Sequence, residues 1–253
     1  MLIDAHAHVN FNTYKDDADE VIRRSLDDDT WIINVGSQHS TSKRAVELAE
    51  KYEKGVYAAI GLHPIHAGDG FNYEKYKQLS QSPKVVAIGE TGLDYKEEYI
   101  SSKEKQKEIF LKQLELAREL NLPVIFHCRM AHDDLINILN SQFSVHNSKL
   151  RGAVHCFTGN RAQAEKYLAM GLYLGFNGII FKMNLDDIIK KTPLDKILVE
   201  TDCPYLTPPS AGTERNEPIY VRYVAEEIAQ IKGISYEEMS KITTENAKKL
   251  FRV

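Results

Sequence analysis

Four histidines and two carboxylates stand out for where they fall in the chain. His6 and His8 form a His-x-His pair near the N-terminus, and Glu90, His127, His155 and Asp202 each lie at the end of a short apolar run. On an extended chain, residues i and i+2 point to one face, so both imidazoles of the pair can turn to a common point. Without the other four, the pair would read equally well as polar residues at a strand end. Nitrogen and oxygen donors without thiolate suit zinc, manganese, nickel, cobalt or magnesium, and ligand softness does not choose among these. An open catalytic zinc typically has about three protein ligands, so the set is too large for one ion. Two divalent ions sharing a carboxylate account for it, and such a pair activates water for hydrolysis.

Residues so far apart in sequence need a scaffold that brings them together. Short apolar or β-branched runs predict strands at Leu2–Ala5, Trp31–Val35, Val56–Ile60, Val85–Gly89, Pro123–Phe126, Gly152–Val154, Leu172–Phe176 and Ile197–Glu200. Helices are predicted between them at Asp16–Asp28, Ser42–Tyr52, Tyr73–Leu79, Lys103–Leu120, His132–Asn140, Arg161–Met170 and Leu185–Lys190, then at Ile219–Ile231 and Tyr236–Leu250. The clearest is Lys103–Leu120, where Ile109, Leu111, Leu114, Leu116, Ala117 and Leu120 form an apolar face among Lys and Glu. Alternating strands and helices imply a parallel sheet. Eight such units in 253 residues favour one (β/α)8 TIM barrel, read as a single domain over residues 1–253. Each ligand-type residue then sits at the C-terminal end of its strand, the face where such barrels carry active sites.

The bulk chemistry narrows the rest. A formal net charge of -4 argues against a general polyanion binder, so a nucleic-acid substrate would be held locally. Three cysteines (Cys128, Cys156 and Cys203) with no Cys-x-x-Cys pair fit a reducing compartment better than a disulfide framework. The N-terminus lacks a basic region followed by an apolar stretch, and no apolar run is long enough to span a membrane, so a cytoplasmic location is expected. No G-x-G-x-x-G follows the first strand, and no organic cofactor is expected. Oligomeric state is not legible.

The motifs IDAHAHVN (3–10), IGLHP (60–64), AIGETGLDY (87–95), VIFHCR (124–129), VHCFTG (154–159), VETDCPYL (199–206) and RNEP (215–218) occur in this order. The chain resembles the TatD-type metal-dependent hydrolases, a deoxyribonuclease branch of the amidohydrolase superfamily. The resemblance runs from the first residues to Pro218, and Thr158 stands where serine is frequent. It implies that His6, His8 and Asp202 hold one ion, that His127 and His155 hold a second, and that Glu90 bridges them. It also implies that DNA is the substrate and is attacked from an end. Asp202 and Glu90 are the expected catalytic carboxylates, Asp202 handling a proton.

Further residues carry two readings each. His63 either contacts substrate at the barrel mouth or caps a loop carbonyl. Arg129 either grips phosphate through its guanidinium or pairs with a loop carboxylate. Arg215 either faces substrate from the loop after the last strand or is a solvated loop residue. Glu200 is expected inside, orienting a metal-binding histidine through its other ring nitrogen. Tyr95 and Asn177 are weaker site candidates. The cysteines, each directly after a ligand, should turn towards the helices as small apolar filler. His39, His132 and His146 read as surface or helix-start residues, and His66 is open. No aromatic-and-basic stripe of the kind that stacks single strands is visible. A hydrolase of a small-molecule ester, amide or lactone is therefore the main alternative, and a non-catalytic metal-binding barrel is a further one.

Overall fold

A computed structural model describes residues 1–146 and 151–253, the side chains of residues 143–146 excepted. The strands are β1 (Leu2–Ala7), β2 (Thr30–Val35), β3 (Val56–Ile60), β4 (Val85–Asp94), β5 (Val124–Arg129), β6 (Gly152–Val154), β7 (Tyr173–Phe176) and β8 (Ile197–Val199). Between them run α1 (Ala18–Asp27), α2 (His39–Glu50), α3 (Tyr73–Leu79), α4 (Lys103–Glu119), α5 (His132–His146), α6 (Arg161–Ala169) and α7 (Asp186–Lys191), followed by α8 (Val221–Lys232) and α9 (Tyr236–Phe251). The strands form one eight-stranded sheet in sequence order, every neighbouring pair parallel. This is a (β/α)8 barrel, as the alternation predicts. Among the described residues no helix is long and apolar enough to cross a membrane.

Strand alternation splits the apolar residues into two cores. Ile32, Ile88, Phe126, Val154, Leu174 and Val199 pack outward against the helices. Ile3, Ile33, Ala87, Ile125, Ala153 and Leu198 fill the barrel, and α9 lays Ala247, Leu250 and Phe251 on them. The helices follow their own local signals. Helix α4 buries Ile109, Phe110, Leu114 and Ala117 on one stripe. Helix α6 opens with a reciprocal cap, in which Asn160 Oδ1 accepts from Gln163 N–H and Gln163 Oε1 accepts from Asn160 N–H, both at 3.0 Å.

Three strands are longer than their apolar runs suggest, because polar ligand residues continue the ladder. Strand β1 includes His6, β4 includes Glu90 and runs on to Asp94, and β5 includes His127 and Arg129. Simple alternation would misplace two of these. Ile3 and Ala5 face the barrel interior while Ala7 packs outward, and the register shifts between Asp4 and Ala7. Ile88 and Leu93 both pack outward although five positions separate them, and β4 shifts register between Ile88 and Thr91. Each irregularity turns a ligand residue, His6 or Glu90, into the barrel, the use to which bulges are put beside active sites.

The seam between β8 and β1 depends on side chains. One isolated bridge joins Ala7 to Cys203. Asp4, fully buried, accepts from the Thr201 hydroxyl, from Thr201 N–H at 2.8 Å and from His6 N–H at 3.2 Å. Burial pushes its carboxyl well up, against these donors, which pull it down. Asp4→Ala would leave buried donors without an acceptor and should lower unfolding stability by about 1–3 kcal/mol. Urea unfolding of the metal-stripped protein measures this, and an unchanged midpoint would show that the seam does not need Asp4.

Candidate metal centre

Glu90 sits at the centre of the barrel mouth, 3% exposed, with its two oxygens facing different partners. Oε1 lies 2.6 Å from His127 Nδ1, 2.6 Å from His155 Nε2 and 3.4 Å from His63 Nε2. Oε2 lies 3.5 Å from His6 Nε2 and 3.9 Å from His8 Nε2. Asp202 closes the second group, its Oδ1 at 3.3 Å from His8 Nε2 and 3.8 Å from His6 Nε2. Asp202 lies just past β8 with φ 57°, a left-handed conformation that aspartate tolerates better than most residues. Its N–H donates to His6 O at 2.8 Å, which ties it to β1. The structure thus brings all six sequence-predicted ligands into one volume, and His63 with them.

The imidazoles are oriented from behind. His8 Nδ1 is 2.8 Å from Val35 O, so it carries the proton and leaves Nε2 a lone pair. His127 Nε2 is 3.1 Å from Asp94 Oδ2, which leaves Nδ1 to face Glu90. His155 Nδ1 is 3.4 Å from Glu200 Oε1, within ion-pairing reach but without hydrogen-bond geometry. Glu200 itself accepts from Cys156 N–H at 2.7 Å and from the Asn177 amide at 3.2 Å. It is packed so tightly over Gly175 that a β-carbon there would come within 2.4 Å of Glu200 Oε2.

This donor set fits cations. His6 Nε2 and His8 Nε2 are only 3.1 Å apart, and both face Asp202 and Glu90. Two ring nitrogens at that distance share a proton or a positive ion, and the Val35 contact has already placed the His8 proton on the other nitrogen. Three groups have ligand atoms within 4.8 Å of one another: His6, His8 and Asp202; His6, Glu90 and His155; and His63, Glu90 and His127.

The charges interlock without metal as well. Burial would raise the Glu90 carboxyl, but the imidazoles of His155, His63 and His127 hold it well below the usual range. Burial likewise opposes a low Asp202, which His8, His155 and His6 keep down. Burial disfavours protonated His155, yet Glu90 and Glu200 raise it well above an ordinary imidazole. Glu90 and Asp94 raise His127 against the same cost. Burial, with His127 nearby, lowers His63 to about 4. Burial and the neighbouring His155 lower His6.

The site opens into a cavity of about 590 Å3. His63 and Arg129 line it, and Arg129 NH1 is 3.7 Å from Asp94, a carboxylate of the site rather than of a loop. His63 accepts Ile65 N–H on Nδ1 at 3.2 Å, so it caps an N–H, not a carbonyl, while its Nε2 faces Glu90. Arg215 is not among the lining residues. Its guanidinium is held 2.6 Å from Asp17 and 2.9 Å from Glu217, over the Tyr14 ring. Tyr95 turns away to Asp134 at 2.8 Å, and Asn177 joins the Glu200 network. Cys128 and Cys203 are buried in the outer core, as expected, although Cys128 also reaches the cavity lining. Cys156 differs: strand β6 ends before it, its φ is 43°, and it lines the cavity. His66 lines the cavity too, bonded to the Gln38 amide at 2.9 Å. His39 and His132 begin α2 and α5, but His132 is buried against Tyr167 rather than at the surface. The side chain of His146 lies outside the described residues.

Asp94 is the residue that sequence reading missed. It lies four positions after Glu90 on an extended strand, the same face, and that spacing was the available signal. The metal-free site also makes a pH dependence. His127 and His155 hold protons above the ordinary imidazole range, and an incoming ion must displace them, so metal affinity should rise with pH and uptake should release protons. Asp94→Ala should weaken metal binding roughly 10- to 100-fold. Chelator competition measures the affinity and an indicator dye in weak buffer measures the protons. Uptake without proton release would contradict the charge arrangement.

Residues 3–252 match the family model described as TatD related DNase. The chain is 44% identical to YabD of Bacillus subtilis (strain 168), an uncharacterized metal-dependent hydrolase, over the full length of both chains. It is 36% identical to the 3'-5' ssDNA/RNA exonuclease TatD of Erwinia billingiae (strain Eb661), covering 100% of this chain and 99% of that one. The solved structure of YjjV, a TatD homologue from Escherichia coli K12, superposes with a TM-score of 0.89 at 30% identity, covering 100% of this chain and 98% of that one. With a barrel of this topology and a histidine–carboxylate centre at its mouth, the chain belongs to the TatD family of metal-dependent hydrolases.

Proposed function

We propose that the chain is a two-metal phosphodiesterase that removes nucleotides from an end of single-stranded DNA. The observation that carries this reading is the division of Glu90: one oxygen faces His6 and His8, the other His127, His155 and His63. A bridging carboxylate between two cations needs that arrangement. Zinc, manganese, magnesium, nickel and cobalt all remain compatible with the donors. When bound, a pair of such ions makes hydroxide available near neutral pH and offsets charge on phosphoryl oxygens.

The protein's own groups supply the rest. His6, His8 and Asp202 hold one side of the site, His127 and His155 the other, and Glu90 joins them. Asp94 fixes the orientation of His127, and Glu200 lies behind His155 as a counter-charge. Asp202, ionised and at the cavity wall, accepts and passes on the proton of the attacking water. His63 is kept neutral by burial and can donate one hydrogen bond to a phosphate oxygen. Arg129, with its side chain 54% exposed at the mouth, provides a cationic fork for the same group. Arg215, with its guanidinium committed to two carboxylates, shapes the loop after β8 instead.

Glu90→Ala or His127→Ala should abolish hydrolysis while circular dichroism shows a folded barrel. Chelation should do the same to the parent protein, reversed by one of the five ions. End-labelled single-stranded DNA and a panel of small esters, amides and lactones, assayed with each ion, decide the substrate. Turnover confined to the small molecules would reject the nuclease reading, and full activity of metal-free Glu90→Ala would reject the mechanism.

A further inference from the structure

The cavity has two unlike walls. Strands β8 and β1 meet at the seam, and the loops beyond them bring Phe11, Tyr205 and Leu206 to one side. Strand β5, four places from β1 in the barrel, brings Arg129 to the other and the loop after β3 brings His63, and the lining there also includes Ile65 after β3 and Tyr99 after β4. Among the described residues lining the cavity, Arg129 is the one Arg or Lys.

Tyr205 is 55% exposed, at the rim of a centre whose ligands are nearly all buried. Its backbone is pinned on both sides: its N–H donates to Asp202 O at 3.0 Å, and its carbonyl accepts from the Asn216 amide at 2.6 Å. Among the described residues its hydroxyl has no hydrogen-bond partner. Phe11 lays one ring face on the imidazole of His8, centroids 4.2 Å apart and planes at 17°, and also lines the cavity. An aromatic side chain on a pinned backbone, left in water beside a hydrolytic site, offers its ring face to a flat partner.

We infer that the Phe11–Tyr205 wall is a stacking site for the base of the terminal, unpaired nucleotide, with its phosphate across the cavity towards His63 and Arg129. This rests on the phosphodiesterase reading and specifies its substrate. Base stacking is sequence-tolerant, since every base offers a π-face, so the site selects for an unpaired end rather than for a sequence. A cavity of about 590 Å3 is of the size that takes one drug-sized group. A small aliphatic ester would use the metal centre and leave this wall empty.

The test uses two single-stranded oligonucleotides that differ only at the end being degraded, one carrying its terminal base and one abasic there. With the metal-loaded enzyme, KM for the abasic end should be about 5- to 150-fold higher, the range of one lost base–aromatic stack. Tyr205→Ala should bring the ratio of the two KM values towards one, and Tyr205→Phe should keep it. A second readout needs no turnover: in chelator, a strand ending in 2-aminopurine should lose fluorescence on binding the parent protein and Tyr205→Phe, but not Tyr205→Ala. Equal KM values for the two ends in the parent protein would overturn the stacking site. A ratio unchanged in Tyr205→Ala would overturn the role of Tyr205. Failure to cleave either strand would instead reject the nuclease reading on which the inference rests.

Discussion

Glu90 is an ionised carboxylate held almost out of water, between two sets of imidazoles. A buried charge is costly unless it is paired and hydrogen-bonded, and in this chain the pairing comes from residues on four different segments. The partners of one oxygen arrive from β5, from the ends of β3 and β6; those of the other arrive from β1. No local piece of chain could satisfy both oxygens. Only a closed ring of parallel strands places their C-terminal ends close enough, which makes this carboxylate and the barrel mutually dependent.

The ring must also be distorted to serve it. Regular alternation would send His6 and Glu90 to the helix side, where an ionisable group would have met only apolar neighbours. Register shifts in β1 and β4 turn them inward. At the seam, where β8 is three residues long, Asp4 supplies hydrogen bonds that a longer ladder would have made through the backbone. It thereby fixes Thr201, next to Asp202. The buried network beneath the site and the candidate ligands at its surface are therefore one construction, with Asp94 and the Val35 carbonyl bonded to rings that face the centre and Glu200 within ion-pairing reach of His155.

Above the centre, the same topology sorts the side chains that line the cavity. The loops after β8 and β1 carry Tyr205 and Phe11, the loop after β3 carries His63 and the end of β5 carries Arg129, and β1 and β5, half a turn apart in the barrel, face each other across the mouth. A nucleotide has this same polarity, a flat apolar base joined to an anionic phosphate. The net charge of -4 is no obstacle to an anionic substrate when the positive field is confined to the mouth.

The sequence by itself determined the strand-and-helix alternation, the count of eight strands and the six residues of the candidate metal centre. Those depend on periodicity and on residue type, and both are local properties. Glu200 was legible for the same reason, as a carboxylate two positions before Asp202. Tertiary structure decided what depends on distance. It joined His63 to Glu90, gave His127 its partner Asp94, and committed the Arg215 guanidinium to Asp17 and Glu217. It turned Cys156 towards the cavity through a left-handed residue where strand alternation had ended. It also assembled an aromatic and basic surface from Phe11, Tyr205 and Arg129. Nearly two hundred positions separate the outer two, and no linear stripe marks them. Side-chain direction along a strand is written every second residue, but a bulge, a seam or a facing loop exists only once the ring has closed.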